Sequence, residues 1–258
     1  SSRIVAGAIM GAMAGFDFGG PVNKTLSLFA DGMLIEGVYE PEAIKIIASM
    51  VPPIVLNPKA GEKILDLTAA PGSKTTQLAG IMNNEGYILA NELDKIRCER
   101  LKHNVEVQGA TIVEVINSRG EKLGETYENY FDKVLLDTPC SGEGRFLAYS
   151  SATYRDWSLK NVNQLTKLQR KLFDSAYKAV KPGGTIVYST CTINKNENEF
   201  ILEWILNNYK VKLSDINLNI KDSIQGSNEG LNREIEKSIK ILPSKDMEGF
   251  FVAKLKKV

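Results

Sequence analysis

The stretch LDLTAAPGSKT, residues 65–75, constrains the fold of this chain more than any other. An apolar run that carries Asp66 gives way to small residues and a Pro-Gly pair, and a helical pattern begins at Ser73. This order predicts a buried strand, a tight turn and a helix. The small residues of the turn let a ligand lie against the backbone at the amino end of the helix, where N–H groups and the helix dipole favour a carboxylate. The stretch is neither GxGxxG nor a P-loop, which needs an additional glycine ahead of Gly-Lys-Ser/Thr.

Composition bounds the class of protein. The 258 residues are 43% hydrophobic, enough for one large core, and 32 basic residues against 31 acidic ones leave a net charge of +1. RNA binding would therefore need a local patch, since the whole chain carries no strong positive field. The three cysteines, Cys98, Cys140 and Cys191, lack a CxxC spacing, which predicts no disulfide framework, no metal site and a reducing cytoplasm. The single histidine, His103, lies in a helical pattern without a partner motif and receives no role.

Strand and helix patterns alternate through most of the chain. The predicted strands are Lys63–Thr68, Tyr87–Asn91, Thr111–Ile116, Lys133–Asp137 and Thr185–Ser189. The predicted helices are Lys74–Met82, Lys95–Gln108, Gln164–Val180 and Asn194–Asn208. Residues 211–240 are polar and irregular, and EGFFVAKLKK near the end predicts a final strand. Such alternation indicates a parallel, doubly wound α/β sheet, whose ligands bind at the carboxyl ends of the strands.

Three stretches in order carry a resemblance to a known family. The turn at 65–75 resembles motif I of the RNA cytosine-5 methyltransferases, the family of the Fmu/Sun, YebU and Nop2/NSUN proteins. LLDTPCSGEGRF, residues 135–146, resembles motif IV, and TIVYSTCTINKNENE, residues 185–199, resembles motif VI. The block MNNEGYILANE, residues 82–92, resembles YebU-type enzymes that modify small-subunit ribosomal RNA. The resemblance implies a Rossmann-like class I methyltransferase with a doubly wound, mostly parallel sheet and a terminal antiparallel strand.

The resemblance also implies a cofactor and a set of catalytic residues. Cys191 would be the nucleophile, because carbon 5 of cytosine attacks a methyl group only after a thiolate has added to carbon 6. Cys140 would help to eliminate the carbon 5 proton, and Asp137 would steady the ring. Strands four and five should be neighbours, so the two thiols should face one base. The family's S-adenosylmethionine would be held by Thr68, Ala69, Ala70, Pro71, Gly72, Ser73, Lys74, Glu92 and Asp137.

Several residues leave alternatives open. Asp94 reads best as a helix cap, and Cys98 as a small buried apolar residue. Residues 196–199 resemble the family's ENE element, whereas composition alone favours a solvated helix start. Basic residues of the later helices and the carboxyl terminus form either an RNA-facing patch or, more simply, solvated faces. These are Lys160, Lys167, Arg170, Lys171 and the terminal lysines.

One loop departs from the family pattern. Where the family carries Asp-Gly-Arg beside the adenine of the cofactor, this chain has Asn117, Ser118, Arg119, Gly120 and Glu121. A guanidinium has donors only. Arg119 is therefore predicted to weaken cofactor binding, unless Ser118 or Glu121 supplies the acceptor.

The first 52 residues differ from the rest of the chain. They resemble part of the membrane permease subunit of fructose-type phosphotransferase systems, including its GGPVNK and MVPP segments. Their apolar stretches are shorter than the ~20 residues that span a membrane, so a transporter fragment is disfavoured. We expect residues 1–52 to be an appended, dispensable segment and residues 53–258 to be the catalytic domain, with the junction near residues 50–54.

Together these observations predict an RNA cytosine-5 methyltransferase. Ribosomal RNA is the favoured substrate and transfer RNA the alternative; the enzyme is expected to be cytoplasmic and monomeric, with no membrane association of its catalytic domain. A hypothesis of another class is a defective fusion product that binds cofactor or RNA without turnover. Arg119 and the foreign amino terminus favour that second hypothesis, whereas the ordered motifs favour the enzyme.

Overall fold

The computed structural model describes residues 50–147, 150–218, 220, 222–244 and 248–258. The expectations for residues 1–49 lie outside this part of the chain. Among the described residues, no helix is long and apolar enough to cross a membrane.

The predicted alternation of strands and helices is confirmed. The strands are β1 (Lys63–Asp66), β2 (Tyr87–Asn91), β3 (Val113–Ile116), β4 (Phe131–Asp137), β5 (Val180–Thr190), β6 (Val211–Ser214), β7 (Ser223–Gln225), β8 (Ile239–Ile241) and β9 (Phe250–Lys257). Helical residues 50–56 form α1. The other α-helices are α2 (Ser73–Ile81), α3 (Lys95–Val107), α4 (Leu123–Thr126), α5 (Leu159–Ala179) and α6 (Glu199–Asn208).

All described strands belong to one mixed sheet in the order β3-β2-β1-β4-β5-β9-β8-β7, with β6 also paired to β9. Strands β1 to β5 pair in parallel, and β9 runs antiparallel to β5, as predicted. The chain moves outward from β1 to β3 and then crosses to β4 on the other side of β1. This reversal of strand order lies between β1 and β4, and in doubly wound sheets the crevice at such a point is the ligand site.

Several element boundaries differ from the sequence prediction, and those of β5 and α5 have clear causes. Strand β5 begins at Val180 rather than Thr185, because Val180 pairs with Phe131 before the ladder resumes at Lys133 and Thr185. The intervening Lys-Pro-Gly-Gly forms an irregularity, where a proline is tolerated in a strand. Helix α5 begins at Leu159 rather than Gln164, because the Ser158 hydroxyl caps its first turn.

Residues 211–240 were wrongly predicted to be irregular. They contain β6, β7 and the first residues of β8, which join β9 and extend the sheet. The strands are short, and β7 has mostly exposed side chains. Their polar outer positions concealed the alternation from the sequence.

Helices cover both faces of the parallel part of the sheet. On one face Leu65 and Leu136 join Phe173 of α5 and Ile205 of α6 in one core cluster. On the other face the cluster is built from α1, α2, α3 and alternate strand residues such as Ile64. Neighbouring residues of β1 thus serve opposite cores, as the two-residue repeat of a strand requires.

Helix α1 belongs to this packing. Val51 and Leu56 are buried in the second cluster, and the Gln77 side-chain amide donates to the Met50 carbonyl oxygen at 3.1 Å. The predicted domain boundary between residues 52 and 53 falls inside α1. That boundary stays a prediction, and a shortened chain should begin at or before Met50 so that Val51 keeps its place in the core.

We expect Leu56→Ala to lower the free energy of unfolding by about 2 to 5 kcal/mol, because it leaves a cavity at a side chain that is 1% exposed. The control is Ile54→Ala on the same helix, where the side chain is 43% exposed and the change should stay within about 0.5 kcal/mol. Denaturant unfolding of both variants measures the difference. Equal effects would contradict the packing of α1 against the sheet.

Candidate active site

The turn after β1 is held open by backbone geometry. Gly72 has a φ of 110°, and a Cβ placed there would lie 2.9 Å from Cδ1 of Leu101. The Ala69 N–H donates to the Asn91 carbonyl oxygen at 2.8 Å, and the Thr68 hydroxyl donates to the Asp137 carbonyl oxygen at 2.8 Å. The turn is therefore tied to both neighbouring strands, and glycine is required at its tightest point.

Helix α3 supports the same turn from the side. Arg97 donates to the Ala70 carbonyl oxygen at 2.9 Å, and Asn104 donates to the Pro71 carbonyl oxygen at 2.7 Å. Both carbonyls belong to the turn that directly precedes α2, which begins at Ser73. The structure thus brings the predicted cofactor residues of the turn into one rigid segment.

Glu92 follows β2, at the strand end adjacent to this turn. Its side chain is buried, accepts from the Asp94 N–H at 3.0 Å, and lies 3.5 Å from the Arg97 guanidinium. Asp94 accepts from the Arg97 N–H at 2.8 Å and caps α3, which confirms its interpretation as a helix cap. A fixed carboxylate at this position is suited to accept hydrogen bonds from a ribose.

Lys74 lies against Asp137 across the crevice. The Lys74 Nζ is 2.7 Å from one Asp137 oxygen, and the other oxygen accepts from the Ser189 hydroxyl at 2.7 Å. Burial disfavours the charged amine, but the charge and hydrogen bond of Asp137 outweigh burial and raise the pKa of Lys74. The pair links α2 to the ends of β4 and β5. Both residues are predicted to hold the cofactor, and their ion pair is not evident from the sequence.

Asp66 is another buried acid, and no role is predicted for it from the sequence. It accepts from the Thr75 hydroxyl at 2.7 Å beneath the turn. Burial raises its pKa from an ordinary value of 3.8 to about 7, although the Thr75 hydrogen bond and the Lys74 charge oppose the increase. The signal in the sequence was an acid within an apolar strand.

Cys140 and Cys191 face each other with their Sγ atoms 3.2 Å apart. Their strands are neighbours in the register that pairs Asp137 with Ser189, which confirms the expectation that the two thiols meet. The hydrogen bond between the sulfurs raises the pKa of Cys140 and lowers that of Cys191, and positive charge from Arg145 and Lys74 further lowers the pKa of Cys191. The pair thus divides into a protonated Cys140 and a Cys191 disposed to be the thiolate.

The loop that carries Cys140 is fastened by Glu197. The Ser141 N–H donates to the Glu197 carboxylate at 3.0 Å, and the Ser141 hydroxyl also donates to it. Gln169 of α5 donates to both the Glu197 carboxylate and the Pro139 carbonyl oxygen, each at 2.9 Å. Burial raises the pKa of Glu197, although the hydrogen bonds from Ser141 and Gln169 oppose the increase.

Residues 196–199 are not a solvated helix start. Glu197, Asn198 and Glu199 are fully buried, and α6 begins at Glu199 rather than Asn194. The Asn198 amide donates to the Thr192 carbonyl oxygen at 3.0 Å and accepts from the Thr190 hydroxyl at 2.7 Å. These side chains replace helical backbone bonds and fix the segment on either side of Cys191.

A glycine contact joins the two cysteine loops. The Gly144 N–H donates to the Cys191 carbonyl oxygen at 3.1 Å, and the Gly249 N–H donates to the Gly144 carbonyl oxygen at 2.8 Å. A Cβ at Gly144 would lie 1.9 Å from the Gly249 oxygen. Only glycine permits this approach.

The loop at 117–121 places Arg119 on the surface. Its guanidinium donates to Glu121 at 2.6 Å and 2.9 Å, and its side chain is 65% exposed. The Ser118 N–H donates to Asn91, and Asn117 donates to the Glu92 carbonyl oxygen at 2.7 Å. The influence of Arg119 on cofactor affinity stays a prediction.

The remaining predictions for cysteine and basic residues have different outcomes. Cys98 is buried in the core, as expected for a small apolar residue. Lys257 does not belong to a surface patch: its Nζ donates to the side chain of Asn129 and to the carbonyl oxygens of Tyr177 and Val180, each at 2.8 Å. The four basic residues named on α5 are exposed, and their contact with RNA stays a prediction.

Residues 53–256 match the family model described as 16S rRNA methyltransferase RsmB/F. The tRNA (cytosine(49)-C(5))-methyltransferase of Pyrococcus abyssi is 41% identical over 233 residues, which cover 88% of this chain and 73% of that protein. The Ribosomal RNA small subunit methyltransferase F of Escherichia coli is 40% identical over 217 residues, 83% of this chain and 44% of that protein. The chain thus spans less than half the length of the bacterial relative.

Solved structures share the fold. A methyltransferase homolog protein from Pyrococcus horikoshii superposes with a TM-score of 0.72 at 32% identity, covering 85% of this chain and 71% of that one. NSun6 from Pyrococcus horikoshii with SFG gives a TM-score of 0.70 at 32% identity, covering 82% and 52%. Both likenesses span most of the sheet and its helices.

The raised pKa of Asp66 predicts a pH dependence of stability. A carboxyl whose folded pKa lies above its unfolded value stabilises the fold most below about pH 4, and this contribution is lost as pH rises through about 7. Between pH 5 and pH 8, ionisation of Asp66 should lower the free energy of unfolding by about 2 to 3 kcal/mol. Asp66→Asn keeps an acceptor for Thr75 and should remove this slope.

Denaturant unfolding at several pH values measures the slope. Asp132→Asn is the control. Burial of Asp132 is outweighed by hydrogen bonds from Lys181 and the Lys63 N–H, which lower its pKa. This substitution should therefore change the pH dependence of stability only below about pH 5. An unchanged pH dependence of stability in Asp66→Asn would contradict the raised pKa of the buried Asp66 carboxyl.

Proposed function

The chain belongs to the RsmB/F family of 16S rRNA methyltransferases, and on that premise we propose that it transfers a methyl group from S-adenosylmethionine to carbon 5 of a cytosine in RNA. The observation that carries the proposal is the Cys140–Cys191 pair, 3.2 Å apart beside the Lys74–Asp137 ion pair. Ribosomal RNA is the proposed substrate, in line with the family model and the bacterial relative. Transfer RNA is the second candidate, because the archaeal relative at 41% identity is named for it.

The residues present fit S-adenosylmethionine. Gly72, with a φ of 110°, lets the turn pack closely against Leu101, α2 begins directly after it at Ser73, and Glu92 offers a fixed carboxylate at the next strand. Thr68 to Lys74, Glu92 and Asp137 would hold the cofactor. When bound, it supplies the methyl group as an electrophilic sulfonium.

Cys191 supplies the nucleophile. Carbon 5 of cytosine is a poor nucleophile, and addition of the Cys191 thiolate to carbon 6 makes it electron-rich. The thiolate is favoured by the hydrogen bond from Cys140 and by the nearby charges of Arg145 and Lys74. Thiolate formation therefore requires no separate histidine base, in contrast to a Cys–His pair.

Cys140 serves the later half of the reaction. Its proton is held by the bond to Cys191, whose hydrogen bond and charge raise the Cys140 pKa. Once the Cys191 sulfur is bonded to carbon 6, its hydrogen bond and charge no longer hold the Cys140 proton, and that proton passes to solvent water. The Cys140 thiolate is then suited to remove the carbon 5 proton, after which the bond from carbon 6 to Cys191 breaks.

Asp137 orients the ring. Its two oxygens already face Lys74 and Ser189, so the carboxyl group cannot rotate freely and its remaining lone pairs have fixed directions. We assign it the hydrogen bond to the cytosine. The base must leave any helical stack to reach these groups.

A fusion product that binds cofactor or RNA without turnover is the competing hypothesis, motivated by the permease-like residues 1–52. The dispensability of that segment, a cytoplasmic location and a monomeric state all stay proposals. Two cysteine variants separate an enzyme from a non-catalytic binder.

We expect Cys191→Ala to abolish both methyl transfer and any covalent complex with RNA. Cys140→Ala removes a hydrogen bond that favours the Cys191 thiolate but keeps the nucleophile, and it slows elimination more than attack, so a protein–RNA complex that survives denaturation should accumulate. Denaturing gel electrophoresis with bulk RNA and S-adenosylmethionine measures the complex. Cys98→Ala is the control, because this buried cysteine lies outside the site, and its variant should retain turnover.

A complex formed by Cys191→Ala and not by Cys140→Ala would reverse the two assignments. If the wild type transfers no methyl group to bulk RNA and neither variant forms a complex, the non-catalytic hypothesis is correct.

A further inference from the structure

Two aromatic side chains lie exposed between the Cys140 loop and α5, and the proposed chemistry uses neither. Tyr154 is 41% exposed and Trp157 is 42% exposed. We propose that Tyr154 and Trp157 form an aromatic platform that stacks the unpaired bases beside the target cytosine in single-stranded RNA. This inference rests on the proposed function and names the segment that receives the flanking nucleotides.

Hydrogen bonds fix Trp157 relative to the nucleophile. The indole N–H donates to the Glu143 carboxylate at 2.8 Å, and Asn194 donates to the same oxygen at 2.6 Å. Asn194 lies three residues after Cys191, and Gly144, next to Glu143, donates to the Cys191 carbonyl oxygen at 3.1 Å. The indole is therefore attached to the frame that holds the catalytic sulfur.

Both side chains keep accessible surface beside their contacts. The polar edge of Trp157 is engaged with Glu143, while its side chain keeps a large exposed fraction. Tyr154 packs against Phe146 with ring centroids 5.9 Å apart, and its backbone carbonyl oxygen accepts from the backbone N–H of Trp157 at 3.1 Å. Exposed aromatic surface of this kind, braced from behind and rimmed by polar groups, marks an interaction site.

The surrounding charge favours a nucleic acid over an apolar partner. Arg145, Arg155 and Lys160 are exposed in the same segment, and α5 continues with further basic residues. Of the acids there, Glu143 is engaged by Trp157 and Asn194, and Asp156 lies 3.8 Å from Arg155. The excess of basic side chains over acidic ones in this segment favours phosphates beside stacked bases.

The reaction itself creates bases that need such a surface. A cytosine that swings into the cysteine site breaks its stacking with both neighbours. Aromatic side chains replace that stacking for any base, because every base has a π-face. Trp157 thus compensates part of the cost of flipping without reading sequence.

Tryptophan fluorescence tests the platform. The chain has two tryptophans, and Trp204→Phe leaves Trp157 as the only one while keeping a ring for the Arg170 contact. The probe is a nine-nucleotide oligouridylate with one central cytosine. We expect the probe to quench Trp157 emission, and an abasic nucleotide at one position beside the cytosine to remove most of the quenching.

Variants separate stacking from the hydrogen bond to Glu143. Trp157→Ala should weaken probe binding about tenfold, the size of one lost base stack. Trp157→Phe keeps a ring but loses the N–H, and should retain most of the affinity. Leu159→Ala removes a neighbouring apolar side chain that is even more exposed, at 57%, and should have no effect. Circular dichroism melting of each variant verifies that the fold persists.

Failure of the probe to quench Trp157, or equal affinities of Trp157→Ala and Leu159→Ala, would overturn the platform. A Trp157→Phe variant as weak as Trp157→Ala would assign the effect to Glu143 and overturn it too. Methyl transfer from labelled S-adenosylmethionine to bulk RNA is measured separately. Quenching without transfer would retain the platform and reject the proposed function, whereas transfer without quenching would do the reverse.

Discussion

The parallel pairing of β4 with β5 is the contact on which the site depends. Its register sets Asp137 opposite Ser189, and the chain then needs only three residues to reach Cys140 and two to reach Cys191. The two sulfurs consequently meet at 3.2 Å although 51 positions separate them in sequence. Glu197 secures one loop, Asn198 the other, and the hydrogen bond from the Gly144 N–H to the Cys191 carbonyl oxygen joins them.

Electrostatics then gives the two thiols different properties. The hydrogen bond between the two sulfurs and the positive charges of Arg145 and Lys74 lower the pKa of Cys191. Cys140 instead lies close to the negative charge of Glu197, which adds to the increase of its pKa. The surroundings thus shift the pKa values of two identical residues in opposite directions, as in other coupled sites.

The sequence allowed the sheet, the strand neighbours and the meeting of Cys140 with Cys191 to be predicted, because helix and strand periods and strand ends are local signals. It did not reveal the Lys74–Asp137 pair or the burial of Glu197, because these depend on side chains from separate strands and helices. Strands β6 to β8 were missed for a related reason: short edge strands owe their existence to β9, not to their own pattern. The foreign character of residues 1–52 stays a prediction.

Tritium at carbon 5 of cytosine provides the most direct test of the reaction. Bulk RNA carrying this label is incubated with the wild-type protein and methyl-labelled S-adenosylmethionine, and tritium released to water is compared with methyl groups gained by the RNA. Attack through carbon 5 predicts one tritium released for each methyl group transferred. Methyl transfer without tritium release would place the methyl group on another atom and contradict the assignment of Cys191 and Cys140.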